Sequence, residues 1–137
     1  MNITVGSQEA ALLGQKALDL GLSAHELAAF ASQDPGLAGE CGVEVNALEA
    51  RTILSGGACS RLAGKCAEAA KNGRPAQVDA GDLEQLGRLE GVLALGAARI
   101  SLKVSAMEAA EGQEGMAKLG SIIGLATGAV GLIKSIW

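Results

Sequence analysis

The sequence predicts an all-α fold, a single helical domain of several short helices, one long amphipathic helix and a Gly-rich apolar C-terminal helix, assembled as an oligomer. Three observations predict it. Apolar residues recur at steps of three and four along most of the 137 residues, and no alternation of β-branched residues is long enough for a sheet. The composition is that of closely packed helices: 26 alanines and 20 glycines stand against one Phe, one Trp and no Tyr. With so little bulky surface to bury at about 25 cal/mol per Å², a lone subunit is expected to be thinly stabilised, and burial between subunits is the simplest remedy. Finally, the last twenty residues sort their small and large side chains onto opposite sides of a helix.

Met1 to Val5 reads as a short extended arm. Ser7, with Glu9 in the first turn, opens a helix through Leu12, Leu13, Ala17, Leu18 and Leu20 that is expected to end at Gly21. Ser23-Ala24-His25-Glu26 has the spacing of a capping box, so a second short helix is expected to run to about Ser32, where Asp34-Pro35-Gly36 stops it. From Val43, the residues Val45, Ala47, Leu48, Arg51, Thr52 and Leu54 form a third helix, broken by Gly56-Gly57. A fourth, from Ala58 to Lys71, carries Leu62, Ala63, Cys66 and Ala70. The turn signal Asn72-Gly73-Arg74-Pro75 closes this section of short helices over residues 1–75.

The long helix is expected over residues 79–111, with Asp79 or Asp82 as its cap. Leu83, Leu86, Leu89, Leu93, Ala97, Ile100, Val104 and Met107 give it one sustained apolar stripe, and Gly87 and Gly91 add a small-residue pair. Gly112 and Gly115 flank an expected hinge. The terminal helix, over residues 116–137, follows. At 100° per residue, Ala117, Gly120, Gly124, Gly128, Gly131 and Ser135 fall within about 80° of one another, whereas Ile122, Leu125, Leu132, Ile133 and Ile136 lie on the other side. Each interior Gly costs a helix roughly 0.5–1 kcal/mol relative to Ala. Four in register therefore point to a close helix–helix contact of the small-xxx-small kind.

Charge and chemistry exclude more than they propose. Residues 1–60 hold seven acids and two bases (net −5), and residues 61–137 hold eight acids and nine bases (net +1). No basic cluster is interleaved with aromatics, so no specific nucleic-acid site is expected. His25 is the only histidine, and its place in a capping box makes it a solvated residue and not a catalytic base. Cys41, Cys59 and Cys66 match no zinc-ligand spacing and read as small buried thiols. No secretory signal precedes them, so synthesis in a reducing cytoplasm is expected. Asp79, Asp82 and Glu84 look like the acidic first turn of a helix. The Gly-rich terminal stretch lacks the Lys-Ser/Thr ending of a phosphate loop. No catalytic, cofactor or metal site emerges, and a non-enzymatic protein is expected.

The uncharged core of the terminal helix, Leu119 to Ile133, is 15 residues long, short of the roughly 20 that span a bilayer. Lys118 and Lys134 could snorkel and Trp137 could sit at an interface. Membrane contact and burial in an oligomer are both open on these residues alone.

The charged, Ala-rich helix Leu83 to Glu111, the Gly hinge, and then the run Lys118-Leu-Gly-Ser-Ile-Ile-Gly-Leu-Ala-Thr-Gly-Ala-Val-Gly-Leu-Ile-Lys134 resemble the small internal virion proteins, or ejection proteins, of short-tailed bacteriophages. The likeness is one of texture and covers residues 83–137. It implies a virion protein kept in the particle interior or near the tail, which oligomerises into a ring or tube and helps form a channel for genome ejection across the host envelope. Its partners would be other copies of itself, larger ejection or portal and tail proteins, and the lipid bilayer. On this reading Ala117, Gly120, Gly124, Gly128 and Gly131 make the subunit contact, and Ile122, Leu125, Leu132, Ile133, Ile136 and Trp137 face lipid or a larger protein. Two alternatives stand beside it. One is a helical adaptor or translocator accessory of a bacterial secretion system, with the stripe from Leu83 to Met107 as its groove. The other is a small pore-forming protein.

Overall fold

The computed structural model describes residues 1–111 and 114–124, the side chains of residues 108–111 and 114–117 excepted. The chain is all-α but for two short strands. In order it forms β1 (Asn2–Val5), α1 (Ser7–Gln33), α2 (Pro35–Glu40), α3 (Gly42–Lys71), β2 (Ala76–Asp79), α4 (Ala80–Glu111) and α5 (Glu114–Gly124). The hinge position Gly112 lies outside the described residues; α5 begins at Glu114, ahead of the expected Met116.

Two pairs of expected short helices are each one long helix. Gly21 does not end α1, and Gly56-Gly57 does not break α3. The reason is visible in the buried seams. In α1 Leu13, Ala17, Leu20, Ala24, Leu27 and Ala31 are all fully buried, and their alternating steps of four and three make a heptad seam that runs straight through Gly21. In α3 Leu48, Ser55, Cys59, Leu62, Cys66 and Ala69 continue one seam across Gly56-Gly57. The cost of about 0.5–1 kcal/mol for each glycine is smaller than what a continuous packed seam returns. Ser23, expected as a helix cap, consequently sits within α1 and is fully buried.

α1, α3 and α4 form the bundle. The stripe of α4 is buried from Leu83 through Val104, with Met107 half-buried at its end. Large residues from all three helices fill the centre, among them Leu20, Leu48, Leu62, Leu86 and Ile100, each without exposed surface. The alanines of the seams let the helices approach closely enough for these to meet, so the chain closes a core of its own without neighbours. Gly14 shows how close the approach is: a Cβ placed there would lie 3.1 Å from Cys66 Cβ and 3.5 Å from the Ala63 carbonyl oxygen on α3.

The ends are fixed by polar contacts. Asp34 Oδ1 accepts hydrogen bonds from Gly36 N (2.8 Å) and Leu37 N (3.1 Å), and Pro35 occupies the first turn, so the expected stop also starts α2. Gly73 adopts φ +63° after α3, the left-handed conformation that ends many helices. The chain then returns as β2, antiparallel to β1 with Ile3 opposite Val78 and Val5 opposite Ala76. This small sheet was not expected from the sequence. Its inward residues Val5, Ala76 and Val78 join the core, and Gln77 Nε2 donates to Thr4 Oγ1 across it (2.9 Å). Asp79, not Asp82, caps α4, accepting from Gly81 N at 2.7 Å.

Candidate functional site

Asp79, Asp82 and Glu84, the acids grouped at the start of α4, each make a structural contact. Asp82 is held by Arg61 of α3 through Nε (3.0 Å) and a second guanidinium nitrogen (2.8 Å), and Glu84 pairs with Arg88 at 2.7 Å. With Asp79 engaged at the helix cap, the three acids serve three separate contacts. Arg99 reaches Glu44 (3.6 Å) and Lys103 reaches Glu40 (2.7 Å), so these charges tie α4 to α3 and α2. Cys41, Cys59 and Cys66 are free and buried, as the sequence suggested. Burial pushes all three thiols up from the ordinary range, reinforced at Cys41 by the neighbouring Glu44. His25 is solvent-exposed, though in the middle of α1 and not in a first turn. Among the described residues no three His, Cys, Asp or Glu side chains gather as metal ligands.

α5 is different, because its two sides have different fates. Leu119 and Ile122 are buried and Ile123 packs at the edge of the core. Ile122 is anchored from both chain and side chain: Ser23 Oγ, inside α1, donates to the Ile122 carbonyl oxygen at 2.8 Å. A buried hydroxyl that lost this acceptor would leave a buried donor unsatisfied, so the bond fixes both the depth and the register of α5 on α1. The expectation that Ile122 faces lipid or a partner protein is therefore corrected: α1 of the same chain takes it, because a residue with Leu119 on one side and the Ser23 hydroxyl beneath it belongs to the core.

Gly120 and Gly124 lie on the opposite side. Both are exposed, and a Cβ built on either would meet nothing within 4 Å. Among the described residues, no other helix comes close to this part of the glycine face. An open glycine is not in itself distinctive, since Gly21, Gly56, Gly64, Gly87 and Gly91 are equally open. What α5 adds is a pair of them directly opposite an anchored apolar side. Gly128, Gly131, Leu125, Leu132, Ile133, Ile136 and Trp137 lie outside the described residues, as does the side chain of Ala117. No described helix is long and apolar enough to cross a membrane.

Sequence reasoning missed the exposed leucines. Leu12, Leu18 and Leu22 stand out from α1, and Leu95 and Leu102 from α4. Only the long seams of α1 and α4 reveal that these residues lie outside the buried faces. Comparison with protein-family models, curated proteins and solved structures finds no match for this chain.

Proposed function

We propose that the protein is a non-enzymatic helical subunit that works by assembling with copies of itself, and that it serves as an ejection protein of a short-tailed phage virion. In that role it is stored in the particle interior or near the tail. Together with larger ejection, portal or tail proteins it then helps carry the genome through the host envelope. The observation that carries the reading is the two-sidedness of α5: Leu119 and Ile122 are spent on the chain's own core, while Gly120 and Gly124 face outward with room for another backbone. Close packing of small-residue helix faces gains contact that a lone helix cannot make. The texture of residues 83–137 supports the virion assignment.

The adaptor alternative loses the surface it required, because the stripe from Leu83 to Val104 is filled by α1 and α3 of the same chain.

Two measurements test the proposal. Gly124→Leu leaves the bundle untouched, since the position is open, and is expected to convert an oligomer into monomers by light scattering; an unchanged oligomer would remove the glycine face as the contact. Antibody detection in purified phage particles is expected to find the protein, and its absence from particles would sink the virion assignment.

A further inference from the structure

Two helices of the bundle carry a second seam, on the side turned away from the core. On α3, Val43, Ala47, Ala50 and Leu54 follow steps of four and three, offset from the buried seam through Leu48 and Ser55. All four are exposed, Val43 by 80% and Leu54 by 65%. On α4, Val92, Leu95, Arg99 and Leu102 repeat the spacing, with Leu95 58% and Leu102 72% exposed. A groove of about 380 Å³ runs between the two helices, with Val43, Ala47, Val92 and Leu95 in its lining. Heptad spacing is the pattern by which one helix meets another, and bulky apolar side chains grouped in the open mark a contact surface.

The rims of the groove differ in charge. Glu40 and Glu44 stand on the side of α2 and α3, Arg99 and Lys103 on the side of α4. Although they pair within the chain, Glu40, Arg99 and Lys103 are each more than half exposed, which leaves them donors and acceptors for a further partner.

We propose that this face binds the same face of a second copy, turned about a two-fold axis parallel to the helices. A surface with acids on one rim and bases on the other is complementary to itself under that rotation. The copy's α4 comes over α3, so its Arg99 and Lys103 lie beside Glu40 and Glu44, and the reverse holds on the other rim. Within the chain α3 and α4 are antiparallel, since Glu44 pairs with Arg99 and Arg61 with Asp82. The rotation gives each helix an antiparallel neighbour in the copy as well, the arrangement of a four-helix bundle. The levels also agree. Leu48 packs at Gly96 within the chain, so the copy's Leu95 arrives beside Ala47, large against small. A helix of another protein would have to match an acidic and a basic rim at once, whereas a second copy does so by symmetry.

This contact is separate from the one proposed through the glycine side of α5. Val43, Leu54, Leu95 and Leu102 make a small apolar centre for a lasting dimer, which buries about 800 Å² on each partner. The pair is therefore weak in dilute solution and is held in the assembly by the high effective concentration that the α5 contact creates.

Gly124→Leu, which removes the α5 contact, is accordingly the background for the test. Sedimentation of that variant from about 10 µM to about 1 mM is expected to show monomers turning into dimers. Adding Leu95→Glu, at an exposed position, is expected to abolish the dimer with helix content unchanged. A chain that stays monomeric throughout, or a dimer that persists in Leu95→Glu, would overturn the proposal. Should Gly124→Leu remain a larger oligomer, the α5 contact is the one that fails; loss of that oligomer on Leu95→Glu would then support this face, and its persistence would refute it. Exchanging rim charges gives a second readout in the same background. Glu40→Lys/Lys103→Glu keeps the ion pair within the chain and still matches its own copy, but it sets like charges against an unexchanged chain. Mixtures of the two are expected to contain fewer mixed dimers than random pairing gives. Random pairing would overturn the two-fold arrangement.

Discussion

Gly14 and Gly120 occupy the same kind of position, the interior of a helix, and do opposite things there. At Gly14 the missing side chain is filled by α3, with Cys66 Cβ 3.1 Å from where a Cβ would stand. At Gly120 the missing side chain leaves open space. Each costs its helix about 0.5–1 kcal/mol relative to Ala, yet only the first is repaid within the fold. The contrast divides the molecule: α1, α3 and α4 are a finished bundle, whereas α5 presents a side that the bundle does not use. Substitutions that add or remove volume in the two regions should therefore differ in sign.

The largest effect is expected where the bundle is filled most completely. Leu48 has no exposed surface, and its Cδ1 lies 3.2 Å from where a Cβ on Gly96 would stand. Leu48→Ala is expected to cost about 2–5 kcal/mol, read as a fall in the denaturant midpoint with an unchanged slope. A cost below that range would mean that the bundle collapses around the gap and is packed less tightly than α1 and α3 indicate.

Next comes Gly14→Ala, the direct test of the close approach. The added methyl gains helix propensity but must displace Cys66 Cβ, an atom held near the α3 backbone and not the tip of a flexible chain. A net destabilisation of about 1–3 kcal/mol is expected, by the same measurement. A neutral or stabilising result would show that the two helices separate easily at this level.

What the sequence made legible follows from the same contrast. The stripe of α4 could be read because its members from Leu83 to Leu93 are all leucines, bulky enough to mark a face unaided. The seam of α1 alternates Leu with Ala, and alanine is as much at home on a surface as in a core. Half of that seam was therefore invisible, and Gly21 looked like an end. The pairing of β1 with β2 joins Asn2 to Asp79, and strands of four residues carry too little pattern to announce a partner so far along the chain. For the candidate site, the sorting of small from large residues was plain in the sequence. Which side the bundle would claim was not, because the hydroxyl that settles it, Ser23, looked like a cap for its own helix.

The thiols give a pH-dependent test of the bundle side. An unfolded chain ionises its cysteines near about pH 8.5, while burial holds Cys41, Cys59 and Cys66 protonated to higher pH in the folded chain. Their contribution to stability is therefore complete below that value and is lost as pH rises from it toward the folded pKa. Denaturant midpoints are expected to fall between pH 8 and pH 10, and to fall less when Cys66, fully buried against α1, is replaced by Ala. Equal slopes in the two proteins would mean that Cys66 ionises as readily folded as unfolded.

The smallest expected change, and the sharpest for the contrast, is Gly120→Ala. Nothing stands within 4 Å of the added methyl, so no contact opposes the gain in helix propensity. That gain is about 0.5–1 kcal/mol, opposite in sign to the effect at Gly14. It should appear locally, as slower amide hydrogen exchange across α5 in the monomer, because a helix held mainly by Leu119, Ile122 and the Ser23 hydrogen bond opens more readily than the bundle. In the proposed assembly the same methyl would stand between packed helices, where the sign reverses and exchange in α5 becomes faster than in the parent oligomer. Slower exchange in both states would place the subunit contact away from the glycine side, and the open glycines of α5 would then be no different from Gly21 or Gly64.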